Sequence, residues 1–400
     1  MPFPTGIAAV LAVLTWALPA AVPAQGRATI KIATQSPLSS DRAGDRAGDR
    51  AVQGEAIKLG AQLAIEQLKS PLERMGFRVE LMALDDQDQP HVGVTNAKNV
   101  VVDRDVLAVI GHLSSGVAIP ASEVYKEVAL AMVSPAGTSP LVTDRGLLNV
   151  SRVCGRDDVQ GEVGAEFAAS TVKARSVYVV HDRTPYGQLV AEAFKADAER
   201  RGIRVVGFEG TEERSSFDPV IAPIKAKGPD LIYFAGRYDQ AAPFFMQARE
   251  RGVTAKFLGS DGLDSSDLTR IAGKAVVGMQ FTSAASPIAT LPKAKQFVDD
   301  FRRRFGREPG PHAAEAYDAT AVALKAIEAA AVSSRAPSRG EVSAAVRRVK
   351  LQGVTGDIEF DGRGDRKKAL YFVLQVASED PEKWDQNRVV RQVTTGPPRH

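Results

Sequence analysis

Two short stretches place small hydroxyl residues where an α/β fold binds ligands. One is Val109-Ile-Gly-His-Leu-Ser-Ser-Gly116 and the other is Val133-Ser-Pro-Ala-Gly-Thr138. Each follows an apolar, β-branched run that reads as a buried strand, and the first runs on into a helical pattern. In an open α/β sheet, ligands lie beyond the carboxyl ends of the strands. Backbone N–H groups at a helix start, together with Ser and Thr hydroxyls, suit a carboxylate or a phosphate. The chemistry expected here is therefore the capture of a small anionic group.

Other reactive side chains form no machinery. Cys154 stands alone in the chain, with no candidate base near it in sequence, and reads as a buried structural thiol. Asp85-Asp-Gln-Asp88 is a polar strand end, because Pro90 and a missing glycine break the calcium-loop pattern. His112 and His181 follow strands without a second ligand at metal spacing, so structural hydrogen bonding is expected of both. The sequence has no nucleophile elbow, P-loop or zinc-type His pair. No catalytic residue, metal or cofactor is expected.

These strand ends belong to a long alternation of elements. Strands are expected at residues 29–34, 79–84, 106–110 and 130–133, with helices between them. The first helix carries Ile57, Ala61, Ala64, Ile65 and Leu68 on one face. A second series starts with a strand at 176–181 and continues at 204–207, 230–234, 256–258 and 276–281. Alternating β and α units imply parallel sheets covered by helices on both faces. Two series imply two similar doubly wound lobes. After Phe281 the pattern changes to long helices at 291–305 and 313–332, split by Gly306-Arg-Glu-Pro-Gly-Pro311, then a helix at 339–349. Strand-like runs at 357–360 and 369–376 follow, and residues 391–400 read as a frayed tail.

The beginning of the chain indicates a destination. Ile7 to Leu18 is an apolar run shorter than a membrane span, and Val22-Pro-Ala24 is a small-residue cleavage pattern. No Lys or Arg precedes that run. A signal peptide cleaved near Ala24 is expected, which sends the mature chain out of the cytoplasm. At 44% hydrophobic and 25% charged residues the chain is an ordinary globular protein. Its 51 Lys and Arg are interspersed with 48 Asp and Glu, which excludes a nucleic-acid footprint. Asp41-Arg-Ala-Gly-Asp-Arg-Ala-Gly-Asp-Arg-Ala51 repeats a four-residue unit and reads as a solvated loop lengthened by duplication, with a flap at the ligand mouth as the alternative.

The motifs taken in order resemble a known family. Val109-Ile-Gly-His-Leu-Ser-Ser115, Pro120-Ala-Ser-Glu-Val-Tyr125, Ser134-Pro-Ala-Gly-Thr138, Asp157-Asp-Val-Gln-Gly161, Val180-His-Asp182 with Tyr186-Gly187, and Gly259-Ser-Asp-Gly262 are similar to stretches of periplasmic binding proteins of the leucine/isoleucine/valine type. Those proteins are the secreted solute receptors of ABC importers. The resemblance runs from about residue 29 to 376. It implies two lobes joined by three crossovers, closing on a ligand in the cleft between them, and a monomer that meets a membrane permease. Lobe 1 would comprise residues 28–154 and 285–356, and lobe 2 residues 155–284 and 357–390. Crossovers are expected near 153–156, 283–286 and 353–356.

The resemblance also assigns roles. Ser115 and Thr138 would hold an α-carboxylate, with Leu113, Ser114 and Gly137 on the same strand ends. Ala136 would offer its carbonyl to an α-ammonium, which Asp261 would pair from the other lobe. Tyr186 would pack over the ligand. A zwitterion held this way has each charge desolvated only when paired. Three departures stand out. Ala47 occupies the position of a frequent aromatic. Arg237 and then Tyr238 stand where a tyrosine is common, and an arginine there suits a second acidic group on the ligand. Asp88 and Ser114 stand where some members carry a disulfide. The ligand expected is an amino acid or related small carboxylate. The second reading is a sensor of the same fold that reports an amide or amino acid to a signalling partner.

Overall fold

The structure is a computed structural model describing Met1 and residues 28–39, 49–288, 291, 294–331 and 335–398. The apolar leader, Ala47 and residues 41–48 of the repeat lie outside the described residues.

In chain order, the first lobe opens with β1 (Ala28–Ser36), α1 (Asp49–Leu68), α2 (Ser70–Arg74), β2 (Phe77–Asp85) and α3 (Pro90–Val102). It continues with β3 (Val106–Gly111), α4 (Ser115–Lys126), β4 (Ala131–Ser134) and β5 (Val150–Arg152). All five strands are parallel, in the order β2-β1-β3-β4-β5. Every residue of β3 and β4 is buried, as a sheet covered on both faces requires.

The second lobe repeats this arrangement. It contains α5 (Asp157–Phe167), β6 (Ser176–His181), α6 (Pro185–Arg200), β7 (Arg204–Gly210), α7 (Asp218–Lys227) and β8 (Leu231–Ala235). Then come α8 (Tyr238–Glu250), β9 (Lys256–Gly259), α9 (Ser266–Ala272) and β10 (Gln280–Ser283). The order β7-β6-β8-β9-β10 is the order of the first sheet again. Each sheet thus reverses direction once, between β1 and β3 and between β6 and β8. Such a switch point opens a crevice at the carboxyl ends of the strands.

The chain next returns to the first lobe through α10 (Ala294–Phe305), α11 (Ala313–Ala330) and α12 (Arg339–Val346). Phe297 and Phe301 pack with Leu59 and Leu63 of α1, and Val322, Leu324 and Ile327 join the core under β1 and β3. A hairpin follows, β11 (Lys350–Gly353) and β12 (Gly356–Glu359). Last come β13 (Ala369–Gln375) and β14 (Arg388–Thr395), added antiparallel beyond β10.

Three expectations need correction. Residues 353–356 form the tight turn of the β11–β12 hairpin, not a crossover. Ile358 and Phe360 bury in the first-lobe core, so the chain crosses back only between Glu359 and Ala369. Residues 391–395 are part of β14, not a frayed tail; β14 has alternate residues exposed, a pattern without the apolar run that marks an inner strand. The strand expected at 276–281 starts at Gln280, because residues 273–276 form a 3-10 turn.

Buried charges lock the crossings together. Asp365, between β12 and β13, receives Arg152 Nε at 2.6 Å and Arg156 Nη1 at 2.7 Å from either side of the first crossing. Arg366 donates to the carbonyls of Val153 at 3.1 Å and Thr355 at 2.8 Å. From α11, Asp318 accepts the backbone N–H groups of Val354 and Thr355, each at 2.8 Å. Glu315, one turn earlier, accepts that of Ser286 at 2.9 Å in the second crossing.

Candidate functional site

The first-lobe half of the site is built by two loops. Ser114 is the N-cap residue of α4, yet its side chain does not cap the helix. Ser115 Oγ accepts the N–H of Ser139 at 3.1 Å, which stitches the loop after β3 to the loop after β4 and leaves the hydroxyl proton to donate elsewhere. The second loop is held in shape from below. Ser134 Oγ accepts the N–H of Gly137 at 2.8 Å. The fully buried Arg152 guanidinium donates to the carbonyls of Gly137 at 2.8 Å and Ser139 at 2.9 Å. Leu113, Ala136 and Thr138 are buried in the same region.

His112 and Asp86 support this half from behind. His112 Nδ1 lies 2.9 Å from Asp86 Oδ2, both buried, so the histidine is structural. Asp85 accepts the N–H groups of Leu38 and Gln87. No cluster of potential metal ligands occurs among the described residues. Burial pushes the Cys154 thiol up to about 12, which keeps it neutral and inert.

The second-lobe half depends on two glycines. Thr184 caps α6 by accepting the N–H of Gly187 at 3.0 Å, which sets Tyr186 in the first turn. A Cβ at Gly187 would lie 2.2 Å from Asp182 Oδ1, the atom that accepts from Thr184. A Cβ at Gly262 would lie 2.3 Å from the carbonyl of Gly236 and 3.2 Å from Tyr186, so this glycine lets the turn after β9 press against the end of β8. Tyr186 Oη consequently meets Asp261 Oδ1 in a short hydrogen bond, sits 2.8 Å from Ser260 Oγ, and accepts the N–H of Gly262 at 2.9 Å. Burial raises the Asp261 carboxyl above the usual carboxylate range and raises the Tyr186 hydroxyl well above its own.

The two halves meet. Asp157 N, at the start of α5, donates to the Thr138 carbonyl at 3.0 Å. At the strand ends, Arg237 Nη2 lies 3.4 Å from Asp88 Oδ2 of the first lobe, and Arg50 Nη2 lies 2.8 Å from the other oxygen. Of the two residues at the end of β8, Arg237 reaches the facing lobe, while Tyr238 rests against the second-lobe core. Arg237→Gln should therefore shift the unliganded protein toward an open form. The expected size is about 0.5–1 kcal/mol, roughly a two- to fivefold change in the open-to-closed ratio, because Arg237 is partly exposed. Small-angle scattering at low and high salt would read it, with the wild type approaching the variant as salt rises.

Several residues here carry no role in the sequence reading. Asp157 and Gln160 are fully buried between the lobes. Ser260 and Arg152 hold site residues in place. Asp157 and Gln160 do fall within the Asp157-Asp-Val-Gln-Gly161 motif. An acidic residue in a first helical turn ordinarily faces solvent, so the motif alone does not disclose its burial.

A cleft between two lobes of repeated topology, lined by hydroxyls on one side and a buried tyrosine–carboxylate pair on the other, defines a two-lobed small-molecule binding protein. The chain belongs to the periplasmic binding protein family, whose match spans residues 29–381. An amino acid binding protein of Pseudomonas aeruginosa is 34% identical over 325 residues, covering 80% of this chain and 85% of that one. A leucine-, isoleucine-, valine-, threonine- and alanine-binding protein of the same organism is 33% identical over 355 residues, covering 87% and 90%. The crystal structure of a leucine-binding protein from Thermotoga maritima superposes with a TM-score of 0.78 at 30% identity, covering 91% of this chain and 98% of that one. No helix among the described residues is long and apolar enough to cross a membrane.

Proposed function

We propose that this protein is the periplasmic solute receptor of an ABC importer. It would bind an α-amino acid by closing its lobes and deliver it to the permease subunits, acting as a receptor and not an enzyme. The leader of residues 1–24 supports export, with cleavage near Ala24. The observation that carries the ligand class is the opposition of Ser115 and Thr138 on one lobe to Tyr186 and Asp261 on the other. The hydroxyls and the start of α4 suit the α-carboxylate, the Ala136 carbonyl and Asp261 suit the α-ammonium, and Tyr186 covers the ligand. Leu113, Ser114 and Gly137 line the carboxylate end. Both ligand charges are satisfied only when the lobes meet, so binding shifts the population toward the closed form.

Arg237 is engaged by Asp88, which removes the need for a second acidic group on the ligand. A monocarboxylic amino acid is the better match, and the names of the relatives agree with it. A thermal-shift screen of amino acids against small carboxylates tests the class. Ligand at a hundred times its Kd adds about 2.7 kcal/mol of stability. For the best ligand, Ser115→Ala or Thr138→Ala should each lower affinity about tenfold to a hundredfold, the value of a hydrogen bond to a charged group. Melting of the unliganded variants should change little. Unaltered affinity in both would remove the carboxylate assignment.

A further inference from the structure

Asp157 is the first residue of α5, fully buried, and neither carboxyl oxygen makes a hydrogen bond of normal geometry, although the Thr138 hydroxyl lies beside it. One turn later Gln160 is sealed from solvent in the same way, with its amide beside Asp261. A buried carboxylate and a buried amide left unsatisfied together are costly, and a native fold retains them only where something is meant to meet them. The charges around them do not. Arg152, the nearest cation, is bound by Asp365, Thr143 and two carbonyls. On α5 itself, Arg156 pairs with Asp144, Asp158 and Asp365. The turn after β9 contributes two more acids, Asp261 and Asp264, the latter accepting from Trp384 at 2.8 Å. α6 contributes Tyr186, β8 contributes Tyr233 and β13 contributes Tyr371, all neutral phenols. The site holds an excess of negative charge facing the space between the lobes.

We propose that Asp157 is a second carboxylate of the ammonium subsite, and that the Asp157–Asp261 pair holds a proton in the unliganded protein and releases it as the ligand's ammonium enters. The step is a proton transfer: a carboxyl O–H bond breaks, the proton leaves to solvent, and ammonium N–H groups take its place as donors to both carboxylates. Gln160 then has a charged neighbour fixed at hydrogen-bond reach. The inference rests on the reading of the ligand as an α-amino acid. Burial, and then the Asp261 charge, push Asp157 well above the ordinary carboxylate range, and burial also raises Asp261. Two such acids titrate as a pair. Because the protonated pair must lose its proton to bind, affinity falls as pH falls through the pair's titration, by about tenfold per pH unit at the limit.

The test is calorimetry with leucine, alanine and threonine in buffers of different ionisation enthalpy across pH 5–8, run on wild type and Asp157→Asn. Wild type should release up to one proton per ligand bound, and the variant should bind with no release and a flat pH profile. Binding to wild type without proton release at every pH, or release that survives in Asp157→Asn, would overturn the proposal. Infrared difference spectra of the unliganded proteins provide a readout free of any ligand. A protonated-carboxyl band present in wild type and lost in Asp157→Asn supports the shared proton, and identical spectra exclude it. If none of the three amino acids binds while that band is present, the amino-acid reading fails and the proton-holding pair stands.

Discussion

Asp261→Asn is expected to weaken binding of α-amino acids by a hundredfold or more, while binding of their deaminated analogues changes little. The ammonium would be buried without its counter-charge on the second lobe, and breaking a buried pair costs about 3–5 kcal/mol, of which about 1.4 kcal/mol is one decade of affinity. The asparagine keeps the oxygen that accepts from Tyr186, so the turn after β9 retains its anchor. The same change should stabilise the unliganded protein. Burial raises the folded-state pKa of Asp261, so its contribution to stability is present at low pH and lost as pH rises through that raised value. The neutral isostere escapes this loss. Calorimetry with leucine and 4-methylpentanoate, paired with melting curves from pH 4 to 8, would measure both effects. An equal loss for the two ligands would rule against the zwitterion site, and a lower melting temperature at neutral pH would contradict the burial argument.

Asp365→Ala is expected to have the largest effect on stability. Asp365 is almost completely buried and is the shared partner of Arg152 and Arg156. Burial alone would raise its carboxyl, but the two arginine charges outweigh this and hold it below the ordinary range. Its contribution is therefore present above the carboxylate range and lost as pH falls through the lowered value. Without it two buried guanidinium groups face each other, at a cost of about 3–5 kcal/mol. In a chain of this length that corresponds to a fall in melting temperature on the order of 10 °C. Because the network joins the first and third crossings, the variant should also broaden the distribution of lobe orientations seen by small-angle scattering. A fall of only a degree or two would show that these charges are solvated in solution.

The strand–helix alternation, the two lobes and most site residues follow from the sequence. Buried parallel strands must be continuous apolar runs, and the turns after them must be small and polar, so 106–110, 130–133 and 176–181 announce both the sheet and the ligand side of it. Ser115, Thr138, Tyr186 and Asp261 are marked by position at those ends. What only the tertiary structure decides involves residues distant in sequence. The placing of the third crossing after the β11–β12 hairpin depends on Ile358 and Phe360 finding the first-lobe core, which no local pattern encodes. The role of Arg237 depends on Asp88, 149 residues away, coming within reach across the cleft. Asp157 looks like a solvated first-turn carboxylate until the opposite lobe covers it, because burial, which changes a carboxylate's chemistry most, is a property of packing and not of the local sequence.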